Sequence, residues 1–505
     1  MYCGAIRAFI REMLLLNHGH HNKIMENARG FIVGGEERTA GQTFDVVHPY
    51  DGRRVARVCR ASENDLDDAI ISAEKGFEVT GRLPAYSRYD ILKNLHDLIL
   101  GNRKELAETI TLESGKTCRH AEIEVERAAE NVMSAAEEAK RINGEILPLD
   151  WNESSGGRTG YVRRFPVGIV LAITPFNFPL NLVCHKLAPA VAAGNAIIVK
   201  PSSRTPLSAL MLGKLLLEAG FPGEALSVIP CLVQHAEALA RDRRIRFLSF
   251  TGSAEVGWRL KGISGRKKVG LELGGNAAVI LHSDADIGYA VKRIVAGGFG
   301  NAGQVCISVQ RVYIHEPVYE ETEGRICELA AALVTGDPAN TDTDVGPMIS
   351  RDAALAAYAK VEDAVQKGAV AIAGGQAPEG TMMKPTILTR TTQDMEVNST
   401  EIFAPVITIT PYNDFDEAIR MANHSRYGLA AGVFTRDITR IMKAFEEIEA
   451  GSIQINDIPG FRADHMPYGG MKMSGTGREG PRYAIEEMTE RKIMVINRTG
   501  APYIQ

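Results

Sequence analysis

At 505 residues the chain is too long for a single ordinary core, so two or three domains are expected. Apolar residues make up 45% of the chain and charged residues 24%, which is typical of globular proteins rather than disordered or membrane proteins. The net charge of -5, with both signs interspersed, excludes an extended basic surface, and no apolar stretch is long enough for a membrane span. We therefore expect neither a nucleic acid nor a membrane as partner, and predict small-molecule chemistry.

The seven cysteines are odd in number and not closely paired, so they do not predict a disulfide framework. This usage indicates a reducing compartment, and we expect a cytoplasmic location. Residues 1–27 are expected to form a flexible extension, because the apolar run around Leu15 is too short for a secretory signal; a mitochondrial-type leader is the alternative. His18, His20 and His21 are interpreted as part of this tail, so no metal site is predicted.

The chain before Leu147 is predicted to be mostly helical. Ser62 stands three positions before Asp65, the spacing of a helix cap, and apolar residues at helical intervals follow it. The stretch 144–161, interrupted by proline and glycines, predicts a hairpin that leaves the main body and serves an oligomer.

From Ile169 onward, short apolar runs alternate with helical patterns. The runs and helices lie at 169–174, 182–192, 196–199, 205–219, 226–229 and 245–250. Strands that alternate with helices predict a doubly wound parallel sheet, which binds ligands at the carboxyl ends of its strands. Further units between Ala277 and Phe434 predict a second α/β domain, and a helix from Pro481 leads into a terminal strand at 493–496.

Three motifs lie at predicted strand ends or turns. In the first, 250–257, small residues begin a helix after a strand; the free N–H groups suit a pyrophosphate, although a plain helix cap explains them equally well. In the second, Glu272 precedes two glycines, as a general base or a surface-turn acid would. In the third, Gly303 to Cys306, a thiol lies in a glycine-led turn; a buried, inert cysteine is the alternative.

In combination, the motifs make the chain resemble the aldehyde dehydrogenase superfamily from about Phe31 to Ile496. The order and spacing of the segments match as well. The segments that carry the resemblance are Thr174–Pro179, Lys200–Ser202, Phe250–Ser253, Glu272–Asn276, Gly303–Cys306, Glu401–Phe403 and Pro467–Gly470.

The resemblance implies an α/β fold of three parts. These are a doubly wound, Rossmann-like cofactor domain (28–143 and 162–273), an α/β catalytic domain (274–463), and a small β oligomerisation or bridging element (144–161 and 480–505). It also implies a homodimer or homotetramer.

The resemblance also implies a mechanism. The Cys306 thiolate attacks the aldehyde carbon, and the Asn177 amide with the Cys306 backbone N–H stabilises the oxyanion. Hydride leaves to a nicotinamide, and Glu272 activates the water that hydrolyses the thioester. Members that pass the acyl group to coenzyme A lack this carboxylate, so the free acid is the expected product.

NAD or NADP is the implied cofactor. The residues expected to bind it are Thr174, Pro175, Phe176, Lys200, Ser202, Ser203, Thr251, Gly252, Ser253, Val256, Leu273, Gly274, Glu401 and Phe403. NAD-preferring members often carry a glutamate three residues after the lysine, where this chain has Ser203 followed by Arg204. We therefore expect NADP to be tolerated, with Arg204 pairing with a 2′-phosphate or, alternatively, lying in solvent.

Four polar residues occupy segments that contact the substrate in this family: Arg127, Asn181, His185 and Arg462. They resemble the branch of lactaldehyde, non-phosphorylating glyceraldehyde-3-phosphate and phosphonoacetaldehyde dehydrogenases, except that Val305 stands where phosphate-using members tend to have arginine. We predict a small aldehyde substrate, a lactaldehyde-like hydroxy-aldehyde. A structural ion pair is the alternative role for each arginine.

Two other functions stay open. One is a semialdehyde dehydrogenase acting on a short anionic aldehyde: succinate semialdehyde, glyceraldehyde 3-phosphate or phosphonoacetaldehyde. The other is a non-catalytic structural protein on the same fold, which the presence of Cys306, Glu272 and Asn177 argues against.

Overall fold

A computed structural model describes residues 28–498 of the chain. The predicted N-terminal extension and residues 499–505 of the predicted bridging element lie outside the described residues. Within 28–498, no helix is both long and apolar enough to cross a lipid bilayer.

The largest sheet has eight strands, in the order β2-β1-β9-β8-β7-β10-β11-β21. Its strands are β1 (Phe31–Val33), β2 (Glu36–Arg38), β7 (Ile169–Ile173), β8 (Ala196–Lys200), β9 (Leu226–Val228), β10 (Ile245–Thr251), β11 (Lys268–Glu272) and β21 (Gly475–Thr476). The inner strands β9 to β11 pair in parallel, and both edges pair antiparallel. Strands β7 and β8 are buried along their whole length, as parallel strands covered on both faces require.

Eight helices and one hairpin accompany this sheet. They are α1 (Glu63–Thr80), α2 (Ala85–Gly101), α3 (Arg103–Ser114), α4 (Cys118–Ala139), α5 (Asn181–Ala193), α6 (Leu207–Glu218), α7 (Val233–Arg241) and α8 (Ala254–Ile263), with the hairpin β3 (Thr43–Val47) and β4 (Arg54–Cys59). Their apolar residues share one core with the sheet.

The second sheet has seven strands, in the order β14-β15-β16-β13-β12-β18-β19. Its strands are β12 (Ala278–Leu281), β13 (Arg311–His315), β14 (Val370–Ala373), β15 (Thr386–Thr389), β16 (Val406–Tyr412), β18 (Ala430–Phe434) and β19 (Ser452–Ile455). All pairs are parallel except β14 with β15. Val279 and Leu281 enter one core cluster while Ala278 and Ile280 enter another, because successive side chains of a strand point to opposite faces.

Six helices cover the second sheet, and a short strand pair lies beside it. They are α9 (Ile287–Phe299), α10 (Tyr319–Ala331), α11 (Arg351–Gln366), α12 (Glu396–Ser399), α13 (Phe415–Asn423) and α14 (Ile438–Glu447), with the pair β17 (Tyr427–Gly428) and β20 (Met471–Lys472).

A three-stranded antiparallel sheet completes the fold, in the order β22-β6-β5. It consists of β5 (Glu145–Pro148), β6 (Arg158–Pro166) and β22 (Thr489–Asn497), and helix α15 (Pro481–Glu487) leads into β22. These strands overlap the predicted element at 144–161 and 480–505, and β6 continues to Pro166. The division into domains and the oligomeric role of this sheet stay predictions.

The elements expected from periodicity are present, including the capped helix: Ser62 and Asp65 form a reciprocal capping box at the start of α1. The prediction of a mostly helical N-terminal part was wrong in one respect, because the four strands β1 to β4 lie between Phe31 and Cys59. Three of the four have three to five residues, and the edge strand β2 carries only exposed or half-buried charged side chains. Such strands show no alternation that the sequence could reveal.

Candidate active site

The carboxyl ends of four parallel strands lie side by side along one border of the large sheet. Ile173 is in register with both Lys200 and Phe250, and Thr251 is in register with Glu272. Because parallel strands share a direction, the residues that follow them meet at this edge, as predicted for a doubly wound sheet. We call this the cofactor edge: Thr174–Phe176, Lys200–Arg204, Thr251–Ser253 and Glu272–Gly274.

Several polar groups of the cofactor edge lack a partner within the described residues. The hydroxyls of Thr174 and Thr251 are buried and make no hydrogen bond. Ser253 is the N-cap of α8, yet its side chain does not cap the helix. Unsatisfied donors at a helix N-terminus form an anion site, so these residues fit the phosphates of a dinucleotide.

Lys200 lies at the end of β8 with its ammonium buried. Its Nζ donates to the Pro201 carbonyl at 3.0 Å, and burial lowers its pKa. Ser202 is half-buried and accepts a hydrogen bond from the Arg204 backbone N–H, while Ser203 and the Arg204 side chain are exposed. Lys200 therefore has donors to spare for a ribose, and Arg204 is free to reach a phosphate in solvent.

Glu401 packs against the glycine pair after Glu272. The Gly275 N–H donates to its carboxylate at 3.1 Å, and a Cβ on Gly274 would overlap that carboxylate. Burial raises the pKa of Glu401 to about 7. Only glycine at 274 therefore allows this carboxylate to approach the strand end.

An aromatic pair lies beside Glu401. The rings of Phe176 and Phe403 meet edge to face, with centroids 5.9 Å apart. Phe403 adopts a left-handed φ of 56°, a strained conformation for a bulky residue of the kind that clusters at functional sites. Val256, on the first turn of α8, is half-buried.

The loop that presents Cys306 is backbone-strained. Asn301, Ala302 and Gly303 have consecutive φ values of 51°, 53° and 67°, and a Cβ on Gly303 would overlap the Ala404 carbonyl. The buried Gln304 side chain holds the loop, because its Oε1 accepts from the Ile349 N–H at 2.8 Å. The thiol that this loop presents is half-buried and packs against an apolar cluster.

The Cys306 thiol is half-buried, and its Sγ lies 3.1 Å from the Tyr468 hydroxyl. Burial raises the pKa of the thiol to about 11, while the hydrogen bond to Tyr468 lowers it. The charges of Glu401, Arg462 and Glu272 also act on the sulfur. These interactions place the predicted nucleophile and base at one site.

Asn177 lies against the same loop. Its Nδ2 donates to the Gln304 carbonyl at 3.0 Å, which uses one of the two N–H bonds of the amide. The second N–H is available to an oxyanion, together with the Cys306 backbone N–H.

Glu272 is buried at the end of β11, and its Oε2 has no hydrogen-bond partner in the described chain. Burial raises its pKa well above the ordinary value, and the negative charge of Glu479 raises it further. The pKa of Glu272 is lowered, in turn, by the positive charges of Arg462, Lys186 and Arg478. A buried carboxyl with a raised pKa and an unpaired oxygen fits the predicted general base.

All four predicted substrate residues converge on the carboxylate of Asp464. Arg127 and His185 each lie 2.8 Å from Oδ1, Asn181 donates to it at 3.3 Å, and Arg462 Nε lies 3.8 Å away. Asn181 and His185, four positions apart on α5, reach one point as predicted. Because these partners stabilise the charged form, the pKa of Asp464 lies below its ordinary value despite burial.

Glu479 is a second buried carboxylate beside the first. It accepts from Lys186 at 2.9 Å and from Arg462 at 3.1 Å, and its pKa is lowered to about 2 against the effect of burial. We call Arg127, Asn181, His185, Lys186, Arg462, Asp464 and Glu479 the polar network.

No role was predicted from the sequence for Asp464, Glu479, Lys186 or Tyr468. The four predicted substrate residues and the segment Pro467–Gly470 belong to this region, but their partners were not identified. Arg127 and Asp464 are 337 positions apart, and no local pattern indicates such a pair.

The comparisons with known proteins agree with this geometry. Residues 36–494 match the aldehyde dehydrogenase family. The chain belongs to the aldehyde dehydrogenase family. It is therefore an oxidoreductase, and the resemblance inferred from the motifs is confirmed.

Relatives with assigned activities cover almost the whole enzyme. A 3-sulfolactaldehyde dehydrogenase of Priestia megaterium is 44% identical over 93% of this chain and 98% of the relative. A lactaldehyde dehydrogenase of Methanococcus aeolicus is 39% identical over 90% and 97%. Both relatives act on small hydroxy-aldehydes by name.

Solved structures show the same fold. Aldehyde dehydrogenase 21 of Physcomitrella patens, crystallised with its product succinate, has a TM-score of 0.92 and 38% identity over 94% of this chain and 100% of that one. The glyceraldehyde-3-phosphate dehydrogenase GapN of Methanocaldococcus jannaschii, complexed with NADP, has a TM-score of 0.87 and 38% identity over 91% and 100%. The aldehyde dehydrogenase fold is thereby confirmed, and the cofactor is NAD or NADP, as in the rest of the family.

Proposed function

We propose that this enzyme oxidises a short hydroxy-aldehyde that carries an anionic group, and releases the free acid. The observation that carries the proposal is the convergence of four polar side chains on Asp464. One of them, Arg462, also lies over the ring of Tyr468, whose hydroxyl contacts the Cys306 sulfur. One compound, 3-sulfolactaldehyde, has both the hydroxy-aldehyde of the predicted lactaldehyde-like substrate and the negative charge of the predicted anionic alternative.

The charge of the polar network supports an anionic group. Three cationic side chains, Arg127, Arg462 and Lys186, face two carboxylates, Asp464 and Glu479. The lowered pKa values keep both carboxylates ionised, so these five side chains together carry one net positive charge. A sulfonate or carboxylate tail would neutralise it, and arginine suits either group.

The nucleophilic step follows from the Cys306 environment. The thiolate attacks the aldehyde carbon, and the oxyanion forms within reach of the second Asn177 N–H and the Cys306 backbone N–H. Each such donor contributes about 3 kcal/mol to stabilising the transition state. The nicotinamide, when bound, accepts the hydride that leaves this tetrahedral carbon, and the thioester on Cys306 remains.

Glu272 completes the reaction. In its ionised form, its carboxylate accepts a proton from the water that attacks the thioester; the carbon–sulfur bond then breaks, which releases the acid and frees Cys306. The charge of Glu479 adds to burial in raising the pKa of Glu272, and the charge of Lys186 lowers it. The product is the free acid because Glu272 supplies the base that hydrolysis needs.

The choice of cofactor is part of the proposal. Ser203 brings no carboxylate to the adenosine ribose, and the exposed Arg204 is two residues from Ser202 at the cofactor edge. A 2′-phosphate would meet a cation instead of an anion there. We therefore propose that NADP is accepted alongside NAD.

The assembly and the location of the enzyme are also part of the proposal. Four residues of β22, Ile493 to Ile496, are exposed apolar side chains, with fractional exposures between 39% and 57%. An apolar strand at the edge of a small sheet is stabilised by burial against a second subunit. A homodimer or homotetramer in the cytoplasm is consistent with this surface and with the free cysteines.

The test is the initial rate of NADH and NADPH formation with 3-sulfolactaldehyde, lactaldehyde, succinate semialdehyde and benzaldehyde. The highest kcat/KM is expected with 3-sulfolactaldehyde, and Cys306→Ala should remove all activity. Preference for benzaldehyde would refute the substrate class while leaving the mechanism standing. No reduction of either cofactor with any aldehyde would favour the non-catalytic alternative.

A matched pair of variants tests the anion site. Arg127→Gln should lower kcat/KM for 3-sulfolactaldehyde about tenfold relative to lactaldehyde, because lactaldehyde has no anionic tail. Arg119→Gln is the control, since Arg119 lies two turns earlier on α4 and pairs with Asp344 away from the site. Equal losses with both aldehydes would make Arg127 a partner of Asp464 only.

A further inference from the structure

We propose that Tyr468 is a catalytic residue whose phenol donates a hydrogen bond to the Cys306 sulfur when the thiolate forms. The inference rests on the proposed role of Cys306 as nucleophile. The observation that carries it is the distance of 3.1 Å between the Tyr468 hydroxyl and Sγ. No role in the reaction was predicted from the sequence for this tyrosine.

The Tyr468 ring is fixed in place from two sides. Its backbone N–H and carbonyl form a reciprocal bridge with Glu479, at 3.1 Å and 2.7 Å. The guanidinium of Arg462 lies over the ring, 3.7 Å from its centroid. Because Tyr468 is only 3% exposed, its hydroxyl has little freedom to leave the sulfur for water.

The chemistry of the pair fixes the direction of the bond. With a neutral thiol, either atom can donate; with a thiolate, only the phenol carries a proton. Burial raises the pKa of Tyr468 well above its ordinary value, so the phenol keeps its proton wherever the thiolate forms. Cys306 packs against a cluster that includes the apolar side chains of Ile307, Leu429 and Ala430, which offer no donor.

The same segment also contacts the base. A Cβ on Gly469 would lie 3.1 Å from Oε1 of Glu272. Two adjacent residues therefore act at the two catalytic groups. Tyr468 places a hydrogen-bond donor at the nucleophile, and Gly469 leaves space for the carboxyl of the base. This arrangement explains why the segment 467–470 belongs in the site although it carries no charge.

The experiment measures alkylation of Cys306 by iodoacetamide against pH, without aldehyde, by mass spectrometry of the peptide that contains it. In Tyr468→Phe the midpoint should rise by about one pH unit, and the rate below the midpoint should fall about tenfold, because one hydrogen bond to a charged group is lost. Tyr412→Phe is the control, since its buried hydroxyl makes only a 3.4 Å bond to the Leu281 carbonyl. An unchanged profile in Tyr468→Phe would overturn the proposal.

Two further readouts separate this inference from the proposed function. Steady-state kcat should fall in Tyr468→Phe with the KM for the aldehyde unchanged; a change confined to KM would make Tyr468 a wall of the substrate pocket and overturn the inference. Replacing the tyrosines by 3-fluorotyrosine makes the phenols stronger donors, so the alkylation midpoint should fall, even if Tyr468→Phe does not fold. Since alkylation needs no aldehyde, failure to oxidise any aldehyde would refute the proposed function alone.

Discussion

The cofactor edge and the polar network differ in how their polar groups are satisfied. At the edge, the hydroxyls of Thr174 and Thr251 have no partner, and Ser253 leaves its helix uncapped. In the network, buried charges such as Glu479 and Asp464 are held by two or more partners each. The edge is built to receive a ligand, whereas the network also holds the fold together.

Because of this difference, substitutions in the two regions should have different effects. A change at the edge should alter activity or cofactor binding and leave stability intact. A change in the network should cost stability, because it leaves a buried charge without its partner.

The largest effect is expected at Glu272, where the edge meets the network. Glu272→Gln should lower steady-state turnover about 10³-fold and leave one rapid equivalent of reduced cofactor, since the thioester forms but is not hydrolysed. The free energy of unfolding should not fall, because the buried Oε2 has no partner to lose. Stopped-flow absorbance and thermal melts measure both; full turnover in the variant would exclude Glu272 as the base.

In the network, Glu479→Gln should lower the free energy of unfolding by about 3–5 kcal/mol, because Lys186 and Arg462 lose their shared carboxylate. Denaturant titration measures the loss. Glu490→Gln is the control, since its pair with Lys268 is largely exposed and should contribute less than about 1 kcal/mol. Equal stabilities of the two variants would contradict the distinction between network and edge.

At the edge, Lys200→Met should raise the KM for the cofactor about tenfold, because a buried donor to the ribose is lost. The melting temperature should stay within a few degrees of the parent, since Lys200 Nζ bonds only the neighbouring Pro201 carbonyl. Cofactor titration and thermal melts check the two halves. A large loss of stability would place Lys200 among the structural residues.

The pH dependence of turnover depends on the raised pKa of Glu272. Only the ionised carboxylate accepts a proton from water, so hydrolysis should be weak below this raised pKa and increase as the pH rises through it. Arg478→Gln removes a nearby positive charge that favours the ionised form, so the rising limb should move to higher pH. Arg482→Gln, exposed on α15, should leave it in place; a limb that moves to lower pH in Arg478→Gln would contradict the assignment.

The smallest effect is expected at the exposed end of the edge. Arg204→Ala should lower kcat/KM with NADP about threefold to tenfold and leave the value with NAD unchanged, because a solvent-exposed pair with a phosphate is weak. The ratio of the two values is the measurement. An unchanged ratio would show that the Arg204 side chain lies in solvent when the cofactor binds.

Whether a strand could be predicted from the sequence depended on its length and burial. The strands β7, β8, β9 and β10 were predicted to within one residue at each end, because their buried runs lie between helical patterns. The strands β1 to β4 were missed because they have only three to six residues, and β2, β3 and β4 each pair on one side only, where no continuous apolar run is required. The catalytic motifs could be recognised because each is contiguous in the chain.

The sequence by itself determined the family and the parallel sheet, and it predicted the nucleophile and the base, since each depends on residues that are neighbours along the chain. Only the tertiary structure decided that Arg127, Asn181, His185 and Arg462 meet at Asp464. It also decided that Tyr468 contacts Cys306. Contacts between segments hundreds of residues apart follow from how the sheets and helices pack, and neither composition nor periodicity carries that information.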